Sequence, residues 1–198
     1  MSRNVRGLCL AAVFCLIFTG ASRASDELVA NPFFSYWSGF KPGSVAVHVE
    51  RTRLSGEDGG AVPGGVEEKR IAYKLIEVGP ERVVLEMVVT EQELLGYVQA
   101  SPTRYIYPAK IKKSHLDRII EETGVTVGEE VLTLDGKEHK CKTLTATVKR
   151  ADGEQIESKM WLSAEVPGHV IKRIRTTRQN GELVAETTTV LESHTKAD

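Results

Sequence analysis

Five histidines, His48, His115, His139, His169 and His194, are the side chains best suited to acid–base or metal chemistry in this chain. None pairs with another at i, i+4, and none stands at a zinc-type spacing from Cys141. The sequence therefore predicts no metal site and no cofactor. Ser114 and His115 place a hydroxyl beside an imidazole. Adjacent helical residues point in different directions, so they do not read as nucleophile and base. No Gly-x-Ser-x-Gly turn is present. Glu91 with Glu93, Glu121 with Glu122 and Glu129 with Glu130 are carboxylate pairs near turns or helix ends. They read as solubilising charge, and nothing marks a hydrolytic dyad among them. The chain reads as non-enzymatic, with a hydrolase as the remote alternative.

Two clusters point to binding instead. Phe33, Phe34, Tyr36, Trp37 and Phe40 lie within eight positions. After them the only aromatics that follow are Tyr73, Tyr97, Tyr105, Tyr107 and Trp161. The segment can be an apolar ligand contact at the open end of a curved sheet, or the aromatic cover of an aliphatic core. Tyr105 and Tyr107 share a face if extended and can line a cavity with it. Phe34, Trp37, Phe40, Tyr105, Tyr107 and Trp161 are the candidate ligand-binding residues. Lys172, Arg173, Arg175 and Arg178 form a basic strand, with Arg173 and Arg175 on one face. It can meet an anionic headgroup or a glycan; the expectation is an edge or solvent face guarded by charge.

The elements that must position these groups are mostly strands. Val45, Val47 and Val49 alternate with Ala46, His48 and Glu50, and the period of two recurs near 68–78 and 81–91. Leu144, Ala146 and Val148 alternate with threonines, and further runs follow at Gln155–Ser163, Val170–Thr177 and Leu183–Leu191. Asp135-Gly136, Asp152-Gly153 and Asn180-Gly181 are hairpin turns, so 129–192 is predicted to be an antiparallel meander. Ser55–Gly65 is rich in glycine and acid and reads as a mobile exposed loop. One short helix is expected near 114–123, with Ser114 and Asp117 as a capping box and Gly124 as its stop. Lys110, Lys112 and Lys113 before it read as solvated loop charges. The predicted class is all-β, a curved antiparallel sheet forming a half-barrel or barrel, with that one helix.

The first 24 residues read as a secretory signal: Arg3 and Arg6, an apolar run from Leu8 to Phe18, then small residues at Ser22 and Ala24. The run is too short for a comfortable membrane span. Residues 25–198 read as a single β-rich domain, periplasmic or extracellular after cleavage. That domain keeps 23 Lys and Arg against 27 Asp and Glu, a formal charge of −4. An acidic balance argues against nucleic acid as a partner. Cys9 and Cys15 leave with the signal, so Cys141 has no internal disulfide partner and reads as a small buried hydrophobe.

Two stretches resemble a group of small exported bacterial proteins of unassigned function. One runs Asn31-Pro-Phe-Phe-Ser-Tyr-Trp37-Ser-Gly-Phe40-Lys-Pro-Gly-Ser44 into a valine strand. The other is Gly136-Lys-Glu-His-Lys-Cys141 followed by Met160-Trp161-Leu-Ser-Ala-Glu-Val-Pro167-Gly168. The resemblance implies an extracytoplasmic β-rich domain and transfers no site residues. The long meander is more loosely similar to periplasmic lipoprotein carriers, whose half-barrel holds acyl chains under a helical lid. Those carriers open with a long helix, whereas Asp26–Lys41 here is aromatic and turn-rich. The functional expectation is a domain that binds a lipid-like or other apolar or amphipathic ligand, with an envelope structural or protein-interaction module as the alternative.

Overall fold

A computed structural model describes residues 27–55, 61–93 and 96–198; the expected secretory signal, residues 1–24, lies outside the described residues. The chain runs β1 (Leu28–Ala30), α1 (Pro32–Ser38), β2 (Val45–Ser55), β3 (Ala61–Val78), β4 (Arg82–Glu93), β5 (Gly96–Gln99), β6 (Thr103–Pro108) and β7 (Lys110–Lys112). It continues with α2 (Lys113–Thr123), β8 (Thr126–Leu134), β9 (Lys137–Lys149), β10 (Glu154–Leu162), β11 (Val170–Gln179) and β12 (Glu182–Thr195).

The predicted meander is present and longer than expected, from β8 to β12. Its turns follow from local chemistry. Leu134 pairs with Lys137 and Gln179 with Glu182, leaving two-residue loops. Both residues of each loop have positive φ: Asp135 49° and Gly136 77°, Asn180 51° and Gly181 89°. That is the backbone hand that matches the twist of the strands it joins. β12 then pairs with β2, which begins a second antiparallel run through β3 and β4. The full order is β5-β4-β3-β2-β12-β11-β10-β9-β8, and β6 also pairs with β4, beyond β5 along the same edge.

Topology requires this sheet to curl. The chain leaves β6 on one edge and re-enters at β8 on the other, eight strand spacings away. Laid flat, that is about 38 Å. The connection is β7 and α2, about 26 Å end to end, with three further residues. β7 is tied into a two-stranded ribbon with β1, and α2 rests against β9. A connection so anchored is not fully stretched, so the two edges approach each other without pairing. The sheet is a curved half-barrel, not a closed barrel.

Several local expectations are corrected. A second helix, α1, occupies the aromatic segment. Asn31 caps it, its Oδ1 accepting from Phe33 N at 3.1 Å, and Pro32 supplies a fixed φ in the first turn. α2 starts at Lys113 with Lys112 at its N-cap and no side-chain capping bond. Ser114 therefore lies inside the first turn, and the capping box does not form. Gly124 does stop the helix, in the left-handed conformation. Lys110 and Lys112 are not loop charges but the ends of β7, paired with Ala30 and Leu28. Lys113 N donates to Glu27 O at 2.8 Å, and Lys113 Nζ approaches Glu27 Oε2 at 3.3 Å. Most of the expected Ser55–Gly65 loop is strand, because β3 is already formed at Ala61; 56–60 lie outside the described residues.

Candidate functional site

α1 lies across one end of the sheet, against β3, β4 and β6. Its partners define the inward face. Phe33 stacks on Tyr107 with centroids 5.5 Å apart, and Trp37 tilts against Tyr73 at 6.5 Å. Trp37 is 6% exposed and joins Ala46, Leu75, Val83, Leu85, Trp161, Ile171 and Leu191 in one core. Phe34, Phe40, Tyr105 and Tyr107 pack against that core partly buried. All six residues singled out in the sequence thus meet in one cluster. Truncating a buried tryptophan in such a setting costs about 3–5 kcal/mol. These side chains cover the sheet whatever else they do.

The connector between β10 and β11 clamps the far end of α1. Gly168 N donates to Tyr36 O at 3.1 Å. A Cβ at Gly168 would stand 2.6 Å from Trp37 Cζ2, so the indole needs a glycine there. His169 follows with φ 62°, and Val170 N donates to Gly168 O at 2.8 Å across it. That two-residue bond makes His169 the centre of a strained γ-turn. Its ring lies 5.0 Å from Tyr36 and 6.1 Å from Phe40, and burial lowers its pKa. A depression of about 440 Å³ opens here, lined by Phe40, Lys41, Ser44, His169 and Lys196 among others. Of the six candidates only Phe40 reaches it.

Beyond α1 the inward face changes character, and register identifies its residues. Directly paired residues share a face. One row crosses eight strands: Val127, Leu144, Met160, Arg173, Thr189, Glu50, Lys69 and Glu91. The next row carries Ala146, Ser158, Arg175, Thr187, Thr52 and Glu67. Arg173 Nη2 donates to Glu50 Oε2 at 3.0 Å and to Thr189 Oγ1 at 3.2 Å; Thr189 Oγ1 donates to Glu50 at 3.1 Å. Thr52 and Thr187 share a hydroxyl bond of 3.0 Å. The Arg173 and Glu50 side chains retain only 25% and 17% of their exposure.

This corrects the expectation for the basic strand. β11 lies inside the sheet between β10 and β12, and Arg173 turns to the inward face. Glu50 and the threonines make that burial tolerable. His48, one step toward α1, is buried, with Nε2 3.0 Å from Val170 O. Burial holds its pKa below the ordinary histidine value, the nearby Arg173 adding to the effect. Burial pushes the Tyr73 phenol up to about 12. The sequence reading missed Glu50, Thr187 and Thr189, because alternation places them on one face without saying which strands adjoin.

Other side chains singled out in the sequence are held by local contacts. Trp161 Nε1 donates to Glu130 Oε2 at 2.8 Å, and Lys159 Nζ meets Glu130 Oε1 at 2.5 Å. Those bonds, from Lys159 first and Trp161 second, hold the Glu130 carboxyl below its ordinary value. Cys141 is a buried free thiol whose pKa burial raises. His115 Nδ1 lies 3.4 Å from Arg118 Nη2. Among the described residues no three His, Cys, Asp or Glu side chains converge as metal ligands.

No family model matches the chain, and no curated protein matches it. Among solved structures it is similar to a putative outer membrane lipoprotein-sorting protein domain from Vibrio parahaemolyticus. The identity is 7%, coverage is 82% of this chain and 88% of that one, and the TM-score is 0.25. A DUF1329 family protein from Desulfovibrio piger gives 10% identity, 78% and 85% coverage, and a TM-score of 0.25. The dehydratase domain from the CurK module of Curacin polyketide synthase gives 11%, 78% and 76%, and 0.18. Likeness at these TM-scores carries no argument about this chain.

Proposed function

We propose that this protein is an exported, non-enzymatic binding domain that holds an amphipathic ligand on the inward face of its half-barrel. One observation carries the reading. That face joins an apolar, aromatic end under α1 to a partly buried polar stretch built on Arg173, Glu50, Thr189 and Thr187. A face that served only as core would be apolar throughout, because each buried charge costs desolvation. A ligand with an apolar body and a polar end matches both halves. The secretory pattern of the first 24 residues, and the resemblance to exported bacterial proteins, support a periplasmic or extracellular setting.

The test is native mass spectrometry of the protein purified gently from its own envelope or secreted fraction. A discrete excess mass that organic extraction removes is expected. A bare mass, together with no uptake of long-chain alkyl compounds by the extracted protein, would overturn the reading. The alternative, an envelope interaction module, is favoured by apolar side chains along both sheet edges. Tyr97 and Ile106 are 71% and 60% exposed on β5 and β6, and Val131 is 61% exposed on β8. That reading predicts a stable protein partner and no carried small molecule.

A further inference from the structure

Three separate segments build the depression at the far end of α1: the residues between α1 and β2, the connector between β10 and β11, and the chain after β12. Its volume of about 440 Å³ is that of a small-molecule site. Phe40, Ala164 and Ala197 supply apolar wall; Lys41, His169 and Lys196 supply polar groups. Lys196 Nζ stands 5.9 Å from the centre of the Phe40 ring, within cation–π reach. Lys41 and Lys196 make no ion pair with a described residue, and the His169 ring makes no hydrogen bond with one. Neither neighbouring carboxylate lines the depression: Glu165 approaches Lys137 at 3.8 Å, and Asp198 is exposed. His169 is held at φ 62°, a backbone strain that persists only where the surroundings fix it, and the rings of Tyr36 and Phe40 flank its imidazole.

We propose that this depression binds a small organic anion, a carboxylate or a phosphate ester on a compact apolar body. Lys41 and Lys196 meet the charge, His169 adds a hydrogen bond, and Phe40 is the apolar floor. The site does not depend on the inward face or on a ligand held there. A concavity whose charged groups share one sign focuses its field on the enclosed space and concentrates the opposite ion. Lysine ammoniums act as point charges on flexible stems, so they adapt to either oxyanion. An imidazole whose two ring nitrogens are open can donate to an anionic oxygen or accept from a phosphate hydroxyl.

The experiment is calorimetric titration of the natural protein with phenyl phosphate, benzoate and benzyl alcohol, with the NMR shifts of the His169 ring protons as the local readout. Salt is held at about 0.15 M, where charges more than about 8 Å apart are screened. The three probes share a ring and differ in charge. Lys41→Gln and Lys196→Gln should each weaken the anions about threefold, the scale of one exposed charge contact, and leave the alcohol unchanged. The two contacts together predict that the anions bind about tenfold more tightly than the alcohol. Both lysines are exposed, so neither variant threatens the fold. Lys149→Gln, at the other end of β9 from Lys137, removes the same charge from the protein and should change nothing. Tighter binding of one anion alone assigns the site to carboxylate or phosphate and supports it, and a loss at one lysine alone supports the site and gives the contact to that residue. No anion binding, equal binding of all three, unmoved His169 shifts, or an equal loss in Lys149→Gln would each overturn the site and leave the inward-face reading untouched.

Discussion

Replacing Gly168 by alanine should destabilise the domain more than the same change at Gly181, and the difference measures how firmly α1 is docked. Both glycines have positive φ, 77° and 89°. An alanine forced into that region costs about 1–2 kcal/mol at either position. The surroundings differ. A Cβ at Gly181 meets nothing within 4 Å, whereas at Gly168 it meets Trp37 Cζ2 at 2.6 Å and Cε2 at 3.0 Å. Trp37 sits in the core and has no free space to retreat into, so overpacking adds about 1–3 kcal/mol. The urea midpoint of Gly168→Ala should therefore fall below that of Gly181→Ala by roughly 0.5–1.5 M, at an m-value of about 2 kcal/mol per molar. In a Trp37→Ala background the excess should vanish, because the group that clashes is gone. Equal midpoints for the two single variants would refute the seating of Trp37 against the connector, and with it the placement of α1 as the cover of the inward face.

Three further outcomes follow from the buried and bonded groups. Glu130 is held below the ordinary carboxylate value by Lys159 and Trp161, so its stabilisation is complete above that value and disappears as pH falls through the folded pKa. The gap in urea midpoint between the natural protein and Glu130→Gln should be widest at about pH 7 and narrow as the medium is acidified below the ordinary carboxylate range; a gap that does not change with pH contradicts the bonding. His48 is held neutral by burial, so the unfolded chain takes up its proton first as pH falls below the ordinary value of 6.5, and stability drops from there towards the folded pKa. His48→Gln should flatten part of the decline between about pH 7 and pH 5, and an unchanged slope would count against a buried neutral imidazole. Cys141 is buried with a raised pKa, so an aromatic disulfide reagent should modify it only at the rate of unfolding; rapid stoichiometric reaction of the native protein would contradict its place in the core.

Periodicity and turn chemistry were enough to identify the class and most of the strands. Alternation marks a strand without reference to any partner, and Asp135-Gly136 and Asn180-Gly181 impose a hairpin by their own backbone preferences. The aromatic cluster was equally legible as composition. The helix that carries it is signalled by Asn31-Pro32, a cap followed by a first-turn proline, a cue the sequence reading did not use. What local reasoning could not supply was adjacency. β12 pairs with β2 across 130 or more residues, as in Thr187 with Thr52, and no local rule specifies that bond. Only once those strands lie side by side does Glu50 stand against Arg173, and only then is β11 an inner strand and not an edge. The sequence by itself determined that this is an antiparallel β-domain with a basic strand and an aromatic segment, because side-chain period and turn residues are properties of a few neighbours. The tertiary structure decided which face each occupies and which charges lose water, because those depend on groups brought together from opposite ends of the chain.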